Sequence, residues 1–79
     1  MSHGYTLRLV ELNAQADPKM SLGVKLGRVC IKKRVPVQEI ASALSVSRQT
    51  IYNWFVGGTS PHPDYEIRIA NFIDKLSND

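Results

Sequence analysis

Cysteine is nearly absent from this sequence: Cys30 stands alone, so no internal disulfide can form. A chain of 79 residues made for an oxidising compartment usually carries several cysteine pairs, and their absence indicates an intracellular, cytoplasmic protein. No segment approaches the roughly 20 apolar residues that a membrane-spanning helix needs, and no basic stretch precedes an apolar run at the N-terminus. These absences predict a protein that is neither exported nor partnered with a membrane.

Catalytic and metal-binding constellations are missing as well. The two histidines, His3 and His62, lie far apart and have no cysteine companions, which argues against a zinc site. The glycine pair Gly57-Gly58 leads into Thr59-Ser60 and not into the lysine of a phosphate-binding loop. We therefore expect no enzyme activity, no cofactor or metal, and no small-molecule substrate.

Positive charge is present but unevenly distributed. The net charge is +3, and seven of the ten lysines and arginines lie between residues 19 and 48, a stretch with the single acid Glu39. Such a basic stretch attracts polyanions through counterion release. A solvated surface is nevertheless the commoner meaning of a charge run. Charge alone leaves nucleic-acid binding as one of two interpretations.

The spacing of apolar residues predicts an all-α fold, a compact bundle of four to five helices. The expected helices run from about Pro18 or Ser21 to Lys33, from Val37 to Leu44, from Ser47 to about Phe55, and from a cap at Asp64 onward. We place the domain at residues 18–79. Residues 1–17 form an N-terminal extension, in which a weak alternation over Tyr5 to Leu12 leaves strand and helix open.

The third expected helix separates apolar from polar residues. Ile51, Trp54 and Phe55 share one side of it. Arg48, Gln49, Tyr52 and Asn53 share another. Two short helices joined by a tight turn, the second polar on one side, describe a helix-turn-helix, whose second helix enters the major groove of DNA.

These residues also resemble a known family. One stretch is similar to the helix-turn-helix of lambda-repressor and Cro-like regulators. Its pattern is Ile40-Ala41-x-x-Leu44-Ser45-Val46-Ser47-Arg48-x-Thr50-Ile51-x-x-Trp54-x-x-Gly57. The resemblance covers roughly residues 21–76 and is most specific over residues 44–57. It implies a helical bundle that binds a palindromic operator as a homodimer, in a bacterial or phage-infected cell and associated with the nucleoid.

The resemblance also implies roles for individual residues. The base-reading positions are Ser47, Arg48, Gln49, Tyr52 and Asn53. The phosphate-facing positions are Lys33, Arg34, Gln38, Thr50, Thr59, Ser60 and His62. Two positions depart from the family: Val37 stands where a phosphate-binding glutamine is frequent, and Ser45 where glycine is usual.

The sequence therefore predicts sequence-specific binding of double-stranded DNA by a small, repressor-like transcriptional regulator. The broad apolar side of the last helix is the expected dimer contact. The alternative is a protein–protein interaction module that docks a partner on the same helix pair, with Tyr52 as its aromatic anchor.

Overall fold

The computed structural model describes residues 5–17, 19 and 21–77. Within these residues the chain forms no strand and five helices, which are α1 (Leu7–Gln15), α2 (Leu22–Lys33), α3 (Val37–Leu44), α4 (Arg48–Phe55) and α5 (Pro63–Ser77). The expected all-α fold is confirmed. None of the described helices is both long enough and apolar enough to cross a membrane.

Hydroxyl side chains begin three of the helices. The oxygen atoms of Thr6, Ser21 and Ser47 accept amide hydrogen bonds from the first turns of α1, α2 and α4, respectively. The caps at Ser21 and Ser47 agree with the sequence-based expectation. The expectation for Asp64 is wrong, because α5 begins at Pro63 and places Asp64 inside its first turn. Proline is well tolerated at the first helical position, where its missing N–H has no acceptor to lose.

Helices α2, α3 and α4 end in the same way. The left-handed residues Arg34, Ser45 and Gly57 have φ angles of 58°, 57° and 79°. In each case the amide of the following residue donates to a main-chain carbonyl five residues earlier in the sequence. Ser45 therefore holds the conformation that glycine would adopt more cheaply.

The core gathers around α2, which packs against α1, α4 and α5. Cys30 is fully buried and acts as a small apolar filler. The other side chains that are essentially inaccessible are Val24, Leu26, Ile40, Leu44, Ile51, Phe55 and Ile69.

Two glycines let α2 approach α4 closely. A Cβ atom on Gly23 would lie 2.7 Å from the Cβ of Trp54, and one on Gly27 would lie 2.7 Å from Cγ of Phe55. Both distances are too short for real carbon atoms. Glycine at these two positions therefore allows the close packing of α2 against α4.

The N-terminal segment, left open between strand and helix, contains α1 and joins the same core. Tyr5 is buried, and its ring stacks on that of Phe55 with 6.0 Å between centroids. Its hydroxyl donates to the main-chain oxygen of Val35 at 2.6 Å. Burial raises the pKa of this phenol well above its ordinary value.

Candidate functional site

A three-residue turn, residues 45–47, joins α3 to α4. Ser45 takes the left-handed conformation, and the amide of Val46 donates to the main-chain oxygen of Ala41 at 3.0 Å. The Val46 side chain is half-buried against the core. Ser47 then begins α4. The left-handed backbone of Ser45, the packed side chain of Val46 and the helix cap at Ser47 together fix the direction of α4 relative to α3.

The inner side of α4 is buried. Ile51 and Phe55 are fully inaccessible, and Trp54 retains 4% of its surface. The Trp54 ring also packs on that of Tyr65, with centroids 5.5 Å apart. Burying a large apolar side chain stabilises a fold by about 1.5–3 kcal/mol, so any rotation of α4 about its axis would be opposed by all three residues.

The outer side of α4 is open to solvent in its first turn and partly covered farther along. Arg48 and Gln49 are exposed, whereas Tyr52 and Asn53 are half-buried. Gln49 Nε2 donates to Asn53 Oδ1 at 3.2 Å, so the two carboxamides form one unit along the helix. Tyr52 also packs partly against the core. The sequence placed Tyr52 on the polar side of α4, and the structure shows that one part of its ring packs against the core while the rest faces solvent.

At the start of α4, two predicted site residues contact each other. Ser47 Oγ accepts from the amide of Thr50 at 3.2 Å and lies 2.9 Å from Thr50 Oγ1. The Ser47 hydroxyl is thus engaged in capping the helix. Because this hydroxyl accepts from an amide of its own helix, it is less available to a base edge than a free serine hydroxyl would be.

The remaining predicted site residues lie on other segments. Exposed positions are Lys33 and Arg34 at the end of α2, Gln38 in the first turn of α3, and Thr59, Ser60 and His62 in the loop before α5. No hydrogen bond or ion pair within the described residues ties these side chains to the outer side of α4. Among the predicted site residues, side-chain hydrogen bonds join Gln49 to Asn53 and Ser47 to Thr50, and the main-chain amide of Thr59 donates to the main-chain oxygen of Asn53 at 3.4 Å.

The loop residue His62 has two contacts that require opposite protonation states. Its Nδ1 accepts from the amide of Asp64 at 3.1 Å, which needs a neutral ring, and lies 3.4 Å from Asp64 Oδ2, an ion pair only if the ring is charged. We favour the hydrogen bond, because both side chains are largely exposed and an exposed ion pair contributes little.

Most of the basic stretch remains at the surface. Six of its seven cationic side chains are exposed, which are Lys19, Lys25, Lys32, Lys33, Arg34 and Arg48. The seventh, Arg28, has a structural role. Its Nη2 donates to the main-chain oxygens of Asn13 at 2.7 Å and Ala16 at 2.9 Å, at the C-terminal end of α1.

Sequence reasoning missed Asn13, the one buried polar side chain among the described residues. Its Nδ2 donates to the main-chain oxygen of Phe55 at 2.7 Å and to that of Val24 at 3.2 Å. A signal was present: Asn13 follows the half-buried Leu9 and Val10 by four and three residues, so it stands where the apolar side of α1 calls for an aliphatic residue.

Comparison with known proteins adds nothing to this geometry. No protein-family model, no curated protein and no solved structure matches the chain. Its function is therefore inferred from its own residues.

Proposed function

We propose that this chain binds double-stranded DNA sequence-specifically and acts in the cytoplasm, at the nucleoid, as a small repressor-like transcriptional regulator. The observation that carries the proposal is the polar, solvent-accessible side of α4, which lies opposite the buried Ile51 and Trp54. An α-helix fits the major groove, where each base pair presents its own pattern of donors and acceptors. Arg48, Gln49 and Asn53 carry the side chains that match such patterns.

Specificity comes from the chemistry of these three side chains. Arg48 can grip guanine through O6 and N7, and a carboxamide can pair with adenine through N6 and N7. Each such pair discriminates by about 1–3 kcal/mol. The hydrogen bond between Gln49 and Asn53 orients both carboxamides before DNA arrives, which reduces the conformational freedom lost on binding.

Affinity comes from the exposed cations and the helix ends. Lys33 and Arg34 offer exposed positive charge at the end of α2, and Gln38, Thr50, Thr59, Ser60 and His62 offer polar contacts to phosphates. Neutralising a phosphate releases counterions, so binding weakens steeply with salt. This part of the interaction is expected to be independent of base sequence.

A homodimer on a palindromic operator belongs to the same proposal, with half-sites one DNA turn, about 34 Å, apart. Much of the apolar side of α5 is already buried within the chain. Ile69 and Ile73 are buried within the chain and Phe72 is half-buried, so the exposed apolar surface there centres on Ile67, which is 75% exposed. Sedimentation as a monomer at protein concentrations far above the dissociation constant for DNA, together with a footprint of a single half-site, would rule out the dimer and leave the proposed DNA binding intact.

Selection from a pool of random duplexes tests the proposal directly. We expect enrichment of one motif. A matched pair of variants then separates base contacts from phosphate contacts. Arg48→Ala should relax base choice at one position of the motif. Lys33→Ala should weaken binding to all duplexes alike and reduce the slope of log affinity against log salt concentration by about 0.9. If both variants behave alike, Arg48 does not read a base.

The protein-docking alternative receives less support from the structure. Its one aromatic anchor, Tyr52, is already packed partly against the core, which reduces the area left for a partner. Absence of any enriched motif, together with no binding to duplex DNA in dilute salt, would favour this alternative over the regulator.

A further inference from the structure

We infer that Asn13 is a positioning residue for α4: its carboxamide holds the C-terminal end of that helix in the orientation that lets Arg48 and Asn53 discriminate between bases. The inference rests on the proposed function. The first evidence for it lies in the hydrogen bonding of α4.

The last four carbonyls of a helix have no intrahelical donor. In α4, the main-chain amides of residues 56–58 serve the carbonyls of Tyr52, Asn53 and Trp54. The fourth carbonyl, that of Phe55, has Asn13 Nδ2 at 2.7 Å. The N-terminal helix thus completes the end of α4, a task that helices usually leave to water or to their own following residues.

Asn13 is itself held from several directions. Its main-chain oxygen accepts from Arg28 at 2.7 Å, and its Nδ2 also donates to the oxygen of Val24. Gly27 leaves the room for it, since a Cβ there would lie 2.6 Å from Asn13 Nδ2. Side chains and main chain of α1, α2 and α4 therefore meet at one carboxamide.

These hydrogen bonds specify a geometry that the apolar contacts of α1 do not. Leu7 is 75% exposed and Leu12 is 38% exposed, so much of the apolar surface of α1 is left in water. Apolar burial is also non-directional, whereas a hydrogen bond weakens steeply when its angle departs from linearity. The orientation of α1 against α4 is consequently set by Asn13 together with the stacked ring of Tyr5.

Orientation matters more for base reading than for phosphate binding. Helix α4 has eight residues and is about 12 Å long, held at one end by the turn before it and at the other by Asn13. Productive binding geometries tolerate shifts of only about 0.5 Å or rotations of about 10–20°. Attraction between a cation and a phosphate changes little over such a shift.

The test compares Asn13→Ala with Ile73→Ala, a truncation in the core on α5, at a temperature well below the unfolding transition of each variant. The dissociation constant is measured for the selected motif and for a random duplex of equal length. We expect Asn13→Ala to raise the dissociation constant for the selected motif roughly tenfold and to leave that for the random duplex unchanged, so that the ratio of motif to random constants rises tenfold. The control should keep the wild-type ratio.

Two results would overturn the inference: an unchanged ratio in Asn13→Ala, or an equal loss in Ile73→Ala. If Asn13→Ala does not fold, the same comparison is made with Asn13→Ser, whose hydroxyl can donate only one of the two hydrogen bonds. A wild-type protein that shows no preference for any duplex defeats the proposed function itself. A wild-type preference that survives in the Asn13 variant defeats only the positioning role.

A measurement on the unaltered protein adds an independent criterion. The scalar coupling across the hydrogen bond, between the ¹⁵N of the Asn13 carboxamide and the ¹³C of the Phe55 carbonyl, should be detectable by NMR. Its absence in the folded protein would contradict the contact on which the inference depends.

Discussion

Replacing Gly27 by alanine would test how closely α1, α2 and α4 pack at the point where Asn13 and Phe55 face Gly27. The new Cβ would lie 2.6 Å from Asn13 Nδ2 and 2.7 Å and 2.9 Å from Cγ and Cδ1 of Phe55. Asn13 and Phe55 are both buried, so neither can move away into solvent. We therefore expect the substitution to separate α1 from α4 or to shift α2.

The expected magnitude follows from opposing effects. Alanine is better than glycine within a helix by about 1 kcal/mol, which favours the variant. Overpacking a well-filled core costs about 1–3 kcal/mol, and leaving the Phe55 carbonyl without its donor costs about 1–3 kcal/mol more. The net result is a loss of about 3 kcal/mol in the free energy of unfolding, or a decrease of about 12–24 °C in the melting temperature of so small a domain.

Urea unfolding followed by Trp54 fluorescence measures this loss, because Trp54 is buried in the native state. Gly58→Ala is the matched control. The nearest atom to a Cβ there is the Asn53 oxygen at 3.6 Å, so no clash arises and the reduced freedom of the unfolded chain should leave stability equal or up to about 1 kcal/mol higher.

A Gly27→Ala protein as stable as wild type would refute the reasoning. It would mean that α1 and α4 can separate at no cost, and that the contact between Asn13 and Phe55 contributes nothing to the fold. A loss in both glycine variants would instead point to a general intolerance of alanine, unrelated to the packing of α1.

Two further predictions concern the turn and the buried thiol. Ser45→Gly should raise the free energy of unfolding by about 1 kcal/mol in chemical denaturation, because the left-handed φ of 57° is strained for serine; an unchanged midpoint would contradict this. Burial raises the pKa of Cys30 to about 12, with the Glu39 carboxylate adding to the effect. The unfolded thiol ionises near pH 8.5, so this contribution to stability is complete below that pH and is lost between about pH 8.5 and 12, with a slope of up to about 1.4 kcal/mol per pH unit. Unfolding measured against pH should show a shallower slope for Cys30→Ala, and equal slopes would refute the assignment.

Helices α2, α3 and α4 could be predicted because their signals are local. Ser21 and Ser47 are hydroxyl residues directly before apolar residues at helical spacing, and a cap needs only its own first turn. The burial of Ile51 and Trp54 follows from the same spacing. The start of α5 was misplaced because Pro63 and Asp64 are both good first-turn residues, and the choice between them depends on the preceding loop.

The two sides of α4 could also be predicted from local spacing, but the contacts of individual side chains on it could not. Residues three and four positions apart share one side of a helix, so the spacing that places Ile51, Trp54 and Phe55 on the inner side of α4 leaves Arg48, Gln49 and Asn53 on its outer side. The half-burial of Tyr52 and the engagement of the Ser47 hydroxyl did not follow, because each depends on which neighbouring atoms lie within reach.

By itself, the sequence determined an all-α domain from residue 18 onward, the turn between α3 and α4, and a helix whose two sides differ in polarity. Only the tertiary structure decided that residues 7–15 form a helix packed within the same core, and that Asn13 completes the end of α4 across 42 positions of sequence. The physical reason is range: caps and apolar periodicity act within one or two turns, whereas a side chain that donates to a distant carbonyl has a partner only after the helices have packed.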